Sequence, residues 1–209
     1  MRGNPKMIAI QFQKRDFEYD VYNLVKSFYP EEEIALFDDD SPAAEYDEKI
    51  SLFYGKNKIN IRIERVSGDR KRQEEGVWLT EEMKERKARK NQTKMLLYHM
   101  LQKRTGQELP WGTLTGVRPT KIPMALIDAG HSNVETAKIM REQYLVSREK
   151  TALAISIANR ERHILEGIDY KNGYSLYIGI PFCPTICAYC SFSSSPLKVW
   201  KNKVDDYLD

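Results

Sequence analysis

Residues 174–190 read Tyr-Ser-Leu-Tyr-Ile-Gly-Ile-Pro-Phe-Cys-Pro-Thr-Ile-Cys-Ala-Tyr-Cys. The run from Tyr174 to Ile180 is aromatic and β-branched and lies between Gly173 and Pro181, so it reads as a strand, and a buried one. Every cysteine of the chain follows it, all in one window of eight residues: Cys183, Cys187 and Cys190. An odd number at such tight spacing cannot make a disulfide framework, which points to thiolate metal ligands in a reducing compartment. A closed zinc site needs four ligands, and no histidine or further cysteine lies nearby. Three thiolates suit a [4Fe-4S] cluster, with one iron left open for another ligand. A zinc site and three packing cysteines are the alternatives.

Working outward, Leu197 to Leu208 reads as a helix, with Trp200, Val204 and Leu208 on one face. Upstream, helices are expected over Ser147 to Leu165, over Asn133 to Gln143 with Ser132 or Asn133 as cap, and over Thr120 to Ala129, ended by Gly130. Before them sits the loop Trp111-Gly-Thr-Leu-Thr-Gly-Val-Arg-Pro-Thr-Lys121. Pro119 suits a first helical position, and a helix terminus flanked by Arg118 and Lys121 suits an anionic group. The plainer reading is an ordered connection whose arginine caps a neighbouring helix.

A long helix is expected from Thr80, as N-cap before Glu81 and Glu82, through Met83 to about Lys103, with Gly106 as its stop. Met95, Leu96, Met100 and Leu101 are its packing set. The basic stretch Lys84 to Lys90 reads as a solvated face salt-bridged to Glu81, Glu82 and Glu85 rather than as an RNA-binding stripe. His99, His131 and His163 have no partner spacing, and Asp38-Asp39-Asp40 lacks the glycine and terminal glutamate of a calcium loop.

The first third carries a strand, Met7 to Phe12, then a helix over Asp16 to Tyr29 with Phe17, Val21, Leu24, Val25 and Phe28 on one stripe. Ile34 and Leu36 mark a second strand. Ile50 to Tyr54 and Lys58 to Val66, joined by Gly55-Lys56-Asn57, make a hairpin in which Ile59, Ile61 and Ile63 alternate with Asn60, Arg62 and Glu64. The fold class is α+β: residues 1–166 form a domain of helices on a small antiparallel sheet, and 167–209 begin a second domain.

Composition agrees with a folded, cytoplasmic protein. The 209 residues are 41% hydrophobic and 30% charged, which excludes collagen-like and wholly disordered classes, and the net charge of +3 calls for no nucleic-acid partner. The N-terminus has no signal-peptide pattern, and no apolar run is long enough to span a membrane.

Leu176-Tyr-Ile-Gly-Ile-Pro-Phe-Cys183 through Cys190 resembles the first strand and cluster loop of radical S-adenosylmethionine (SAM) enzymes, within the oxygen-independent coproporphyrinogen III dehydrogenase group. The segment from Gly112 to Lys121, with Val146 to Lys150 after it, is similar to the HemZ branch, which carries an added N-terminal domain. The resemblance implies that Cys183, Cys187 and Cys190 hold a [4Fe-4S] cluster that also binds SAM. It places Tyr177 near the sulfonium and Tyr189 against SAM. It further implies oxidative decarboxylation of coproporphyrinogen III to protoporphyrinogen IX, by hydrogen abstraction from a propionate, with reduced flavodoxin or ferredoxin as donor.

Two positions depart from the pattern. Gly179 stands where the best-known coproporphyrinogen dehydrogenases have histidine, and Phe192, which is instead like the related haem-chaperone branch, stands where they have a further cysteine. A radical SAM enzyme on another substrate, such as tRNA, and a haem-binding protein are therefore the competing expectations. A (β/α) barrel needs on the order of 200 residues. Residues 167–209 thus correspond to its first β-loop-α unit, a truncated barrel expected to bind a cluster poorly and to turn over no substrate alone.

Overall fold

Alternation puts Ile59, Ile61 and Ile63 on one face of a strand, and in the computed structural model all three are fully buried. The structure describes residues 7–38, 46–56, 58–67, 70–79, 85–116, 118–169 and 172–209. The chain separates into two compact units, Met1–Ile164 and Leu165–Asp209.

The larger unit is built on a five-stranded sheet: β1 (Met7–Phe12), β2 (Glu33–Asp38), β3 (Glu48–Tyr54), β4 (Lys58–Ser67) and β5 (Arg70–Leu79), in spatial order β2-β1-β3-β4-β5. Helix α1 (Glu18–Phe28) connects β1 to β2, and a crossover of this kind returns the second strand parallel to the first. β3 also lies parallel to β1, whereas β3-β4 and β4-β5 are antiparallel. The class is α+β as expected, but the sheet is mixed where an antiparallel one was expected.

One face of the sheet buries Ile8, Ile10 and Phe12 of β1, Ile50 and Leu52 of β3, and the β4 isoleucines. Two helices cover it. From α1 come Val21, Leu24, Val25 and Phe28, the stripe read from the sequence, and from α2 (Arg86–Thr105) come Leu97, Tyr98, Met100 and Leu101. Each such side chain contributes roughly 1.5–3 kcal/mol on leaving water. On the opposite face Lys49 and Glu64, cross-strand partners, form an ion pair at 3.6 Å.

β5 has no counterpart in the sequence reading. Its string Arg-Lys-Arg-Gln-Glu-Glu-Gly-Val-Trp-Leu lacks apolar alternation, because an edge strand gains its order from backbone pairing with β4. Gly76 carries the tertiary reason for the segment's composition: a β-carbon there would stand 2.5 Å from Met100 Sδ and 3.0 Å from Leu96 Cδ1 of α2. Both obstructing atoms end flexible side chains. Gly76→Ala is therefore expected to cost only about 1 kcal/mol in chemical denaturation; a loss of several kcal/mol would mean that α2 cannot yield.

Helix α2 begins at Arg86, and the proposed cap Thr80, with Glu81 to Lys84, lies outside the described residues, as do Asp39, Asp40, Asn57 and Val117. It ends as expected, at Gly106 with φ 70°. Its buried stripe is Thr93, Lys94, Leu97, Tyr98, Met100 and Leu101; Met95 and Leu96 of the expected set are half-buried.

Three further helices pack together: α3 (Lys121–Asp128), α4 (Asn133–Tyr144) and α5 (Arg148–Leu165). Ser132 caps α4 in a full capping box with Glu135, whose carboxyl is held below its usual pKa by those hydrogen bonds. Ser147 Oγ accepts from Lys150 N at the start of α5. Pro119 precedes α3 rather than opening it, since Thr120 is the N-cap.

In the smaller unit, Tyr174 to Ile180 is neither a strand nor buried: it has no ladder partner, and Tyr174, Leu176, Tyr177, Ile178 and Ile180 are exposed. A fully buried parallel strand requires a neighbour on each side, and among the described residues none pairs with it. What order there is comes after it. β6 (Phe182–Cys183) pairs with β7 (Ser195–Pro196), closing the cysteine loop, and Ser195 N donates to Pro181 O at 2.7 Å. The expected single helix over 197–208 is broken into α6 (Leu197–Trp200), a 3₁₀ turn (Lys201–Lys203) and α7 (Val204–Leu208). Only Val204 of its expected apolar face is even half-buried, so little packing holds a continuous helix together.

Candidate functional site

The cysteine loop lies between β6 and β7. Cys183, in the bridge itself, is half-buried; Cys187 and Cys190 are exposed, and all three are free thiols. Cys190 N donates to Cys187 O at 3.0 Å, so these two stand on one reverse turn. Cys190 Sγ also lies 3.8 Å from Phe192 O. The donor chemistry fits an iron-sulfur cluster, since three reduced, unpaired sulfurs share one loop. The thiols are not converged on a point: among the described residues no group of three His, Cys, Asp or Glu side chains is arranged to hold a metal.

Tyr177 and Tyr189, the expected SAM contacts, are 86% and 90% exposed. Tyr177 stands two residues from Gly179 and its ring closes over it: a β-carbon at 179 would be 3.0 Å from Tyr177 Cε1. Tyr207 OH donates to Gly179 O at 2.6 Å and its ring meets Phe182 edge-on at 5.5 Å, tying α7 to the segment before the loop. Phe192 is exposed.

The larger unit holds a second arrangement that the sequence only half discloses. A cleft of about 500 Å³ lies between α1, α2 and the 113–126 segment, lined among others by Lys87, Lys90, Lys94, Arg118 and Lys121. Arg118 reaches the Glu161 carboxylate of α5 at 3.2 Å, a side-chain ion pair rather than the helix cap of the plainer reading of that loop. Lys84, Glu81 and Glu82, which the salt-bridged reading of the basic stretch involves, lie outside the described residues. Arg86 and Arg89 lie over the rings of Phe17 and Tyr54, and the carboxylate that meets Lys90, at 3.7 Å, is Asp20 of α1.

Lys94 escaped the sequence reading altogether, because a lysine on an apolar stripe reads as an interruption. Its side chain is 8% exposed, with Nζ 3.4 Å from Asp20 Oδ1 and 3.2 Å from Thr115 Oγ1. Burial pushes its pKa down, opposed by Asp20. The folded chain thus releases this proton at a lower pH than the unfolded chain. Below the folded pKa the burial penalty is present in full, and it shrinks as pH rises toward the ordinary lysine value of 10.5. Lys94→Met is expected to leave the thermal midpoint at pH 7 unchanged or to raise it by about 2–4 °C, with the gap to the parent closing as pH approaches 10. A clear fall in the midpoint at pH 7 would show Lys94 to be a stabilising group.

A larger, more open groove of about 860 Å³ runs past His99, Glu108, Lys138, Arg141 and Arg148, where charges of both signs alternate. His99, His131 and His163 are all exposed. No helix among the described residues is long and apolar enough to cross a membrane.

Comparison with known proteins bears on the cysteine loop. No family model matches the chain. A solved structure, protein VC0702 from Vibrio cholerae, aligns over 78% of this chain and 94% of its own at 14% identity, but with a TM-score of 0.24 it carries no argument. In sequence the chain is 31% identical, over 191 residues, to the oxygen-independent coproporphyrinogen-III oxidase-like protein HemZ of Bacillus subtilis (strain 168). The match takes in 89% of this chain and 37% of that protein. The chain is thus a homologue of an oxygen-independent coproporphyrinogen-III oxidase-like protein, HemZ, and spans a little over a third of its length.

Proposed function

We propose that this protein serves porphyrin and haem biosynthesis in the cytoplasm as a radical SAM oxidoreductase of the coproporphyrinogen III type, with residues 1–166 as an added domain and 167–209 as the start of the SAM domain. The observation that carries the reading is the set of three free thiols on one loop directly after Leu176-Tyr-Ile-Gly-Ile-Pro-Phe182, in a homologue of HemZ. Cys183, Cys187 and Cys190 would hold a [4Fe-4S] cluster, and Tyr177 and Tyr189 would contact SAM. Bound together, cluster and SAM supply one-electron chemistry able to remove hydrogen from an unactivated carbon, here in a propionate side chain of coproporphyrinogen III.

The chain's own residues anchor and shield. The β6-β7 bridge fixes Cys183, and the Cys187-Cys190 turn presents the other two thiols on a short tether, so ligation draws together sulfurs already confined to one loop. Thiolate, not thiol, is the ligand, so loading releases protons and strengthens with pH. Tyr177, Tyr189 and Phe192 offer exposed rings that can close over bound SAM and keep water from it. The exposed loop is open to a flavodoxin or ferredoxin donor.

A haem-chaperone role is the second reading, and it rests on Phe192, an exposed phenylalanine standing where the coproporphyrinogen dehydrogenases have a further cysteine. The test uses protein expressed from the intact gene, reconstituted anaerobically and given SAM and a reductant with and without coproporphyrinogen III. The expected result is porphyrinogen-dependent formation of 5'-deoxyadenosine with release of carbon dioxide. Haem retained on the protein, with SAM cleavage indifferent to the porphyrinogen, would replace the first reading with the second.

A further inference from the structure

The chain as a whole is nearly balanced, at +3 over 209 residues, yet the cleft between α1, α2 and the 113–126 segment gathers five cationic side chains against one lining carboxylate, Asp20. Two clusters face each other across it. Lys87, Lys90 and Lys94 come from successive positions on one side of α2, at the i, i+3 and i+7 spacing that shares a helix face. Arg118 and Lys121 come from the loop and first turn of α3. Between them the lining includes the apolar side chains Leu114, Ile122 and Leu126.

Asp20 is spent twice, on Lys90 at 3.7 Å and on Lys94 at 3.4 Å, and Glu161, outside the lining, meets Arg118. Among the described residues no carboxylate within ion-pair distance meets Lys87 or Lys121. Lys94 is the independent sign that the cleft is built for binding. A lysine nine-tenths buried costs stability unless its charge has a use, and its head group is held in place by Asp20 and by Thr115 Oγ1, itself part of the wall.

We propose that this cleft binds a small organic polyanion with anionic groups at separated corners of an apolar body. One set of anionic oxygens would meet Lys87 and Lys90, the other Arg118 and Lys121, and the body would lie on Leu114 and Ile122. A tetrapyrrole carrying propionates has this chemistry, and so does a nucleoside polyphosphate; the first case rests on the function proposed above, the second does not. Partial desolvation inside the cleft strengthens each contact, while ionic strength weakens the approach of the ligand.

The test is equilibrium binding to the full chain, by fluorescence or calorimetry, with coproporphyrin III, its uncharged tetramethyl ester and ATP as probes. Saturable one-to-one binding of coproporphyrin III or of ATP is expected, the ester binding at least tenfold more weakly than the tetracarboxylate. The exposed pair Lys87→Glu with Lys121→Glu is expected to weaken the bound anion about tenfold or more with an unchanged circular-dichroism spectrum. Lys198→Glu with Lys201→Glu, the same charge change in the other unit, is expected to leave it alone.

Binding of coproporphyrin III ties the cleft to the porphyrinogen reading. Binding of ATP alone supports the cleft as a polyanion site and separates it from that reading. No saturable binding of either anion, or binding equally insensitive to both charge-reversal pairs, overturns the proposal, whatever the cysteine loop does.

Discussion

Single replacement of Cys183, Cys187 or Cys190 by alanine is expected to lower the iron and sulfide retained after anaerobic reconstitution to a tenth or less of the parent's. A cluster held by three thiolates has no spare protein ligand, and no other cysteine exists in the chain to take over. Serine in place of each cysteine keeps size and polarity but replaces the soft sulfur with a poor iron donor, so it should do no better than alanine. The loop is exposed or half-buried, hence none of the six variants should shift the thermal midpoint of the metal-free chain by more than about 2 °C. The readouts are iron and sulfide analysis together with the low-temperature electron paramagnetic resonance of the reduced protein. Retention of most of the iron by any one variant would remove that residue from the ligand set.

Gly112→Ala is expected to be the most damaging single substitution in the larger unit that leaves no cavity. Gly112 has φ 56°, in the left-handed region, and a β-carbon on it would overlap the carbonyl oxygen of Tyr144 and the carbonyl group of Leu145. Those are backbone atoms, and they cannot swing aside as the Met100 side chain can from Gly76. Leu145 is itself left-handed, at φ 57°, as the cap of α4. The surrounding backbone is pinned on every side: Thr113 N donates to Tyr144 O at 2.8 Å, Val146 N to Met140 O at 3.2 Å and Ser147 N to Pro110 O at 3.0 Å. The substitution should cost about 3 kcal/mol or more and lower the midpoint by roughly 10 °C. Gly116, in the same loop, meets nothing within 4 Å, so Gly116→Ala should fall within about 0.5 kcal/mol of the parent. Equal effects at the two glycines would contradict the packing of this loop against the α4-α5 turn.

How legible each part was follows from how local its determinants are. The Ile59-Ile61-Ile63 alternation, the α1 stripe, the Ser132 capping box and the glycine ends at 106 and 130 are written within a few residues of where they act, and each stands in the structure. β5 is held by pairing with β4 and by a glycine that admits α2, neither of which a charged ten-residue string announces. The same limit ran the other way at Tyr174 to Ile180, where a strongly strand-like composition stays exposed, because a strand exists only with a partner.

The cysteines were legible as ligands by residue type and spacing, which are properties of the string. Lys94 was not, since its meaning comes from Asp20, 74 positions away, and from Thr115 on a loop the helix happens to face. Of the basic loop, Arg118 and Lys121 can be singled out from sequence, while Lys87 and Lys90 of α2 read as part of a solvated face and only the fold sets the two groups across one cleft.

The central claim, that the loop at Cys183 to Cys190 is a cluster site, is tested most directly by metal and sulfide analysis with Mössbauer spectroscopy on protein expressed from the intact gene and reconstituted anaerobically with iron-57 and sulfide. The account predicts roughly four irons and four sulfides per chain, with one iron distinguishable from the other three and perturbed on adding SAM. Zinc bound in place of iron, with no sulfide retained, would contradict it.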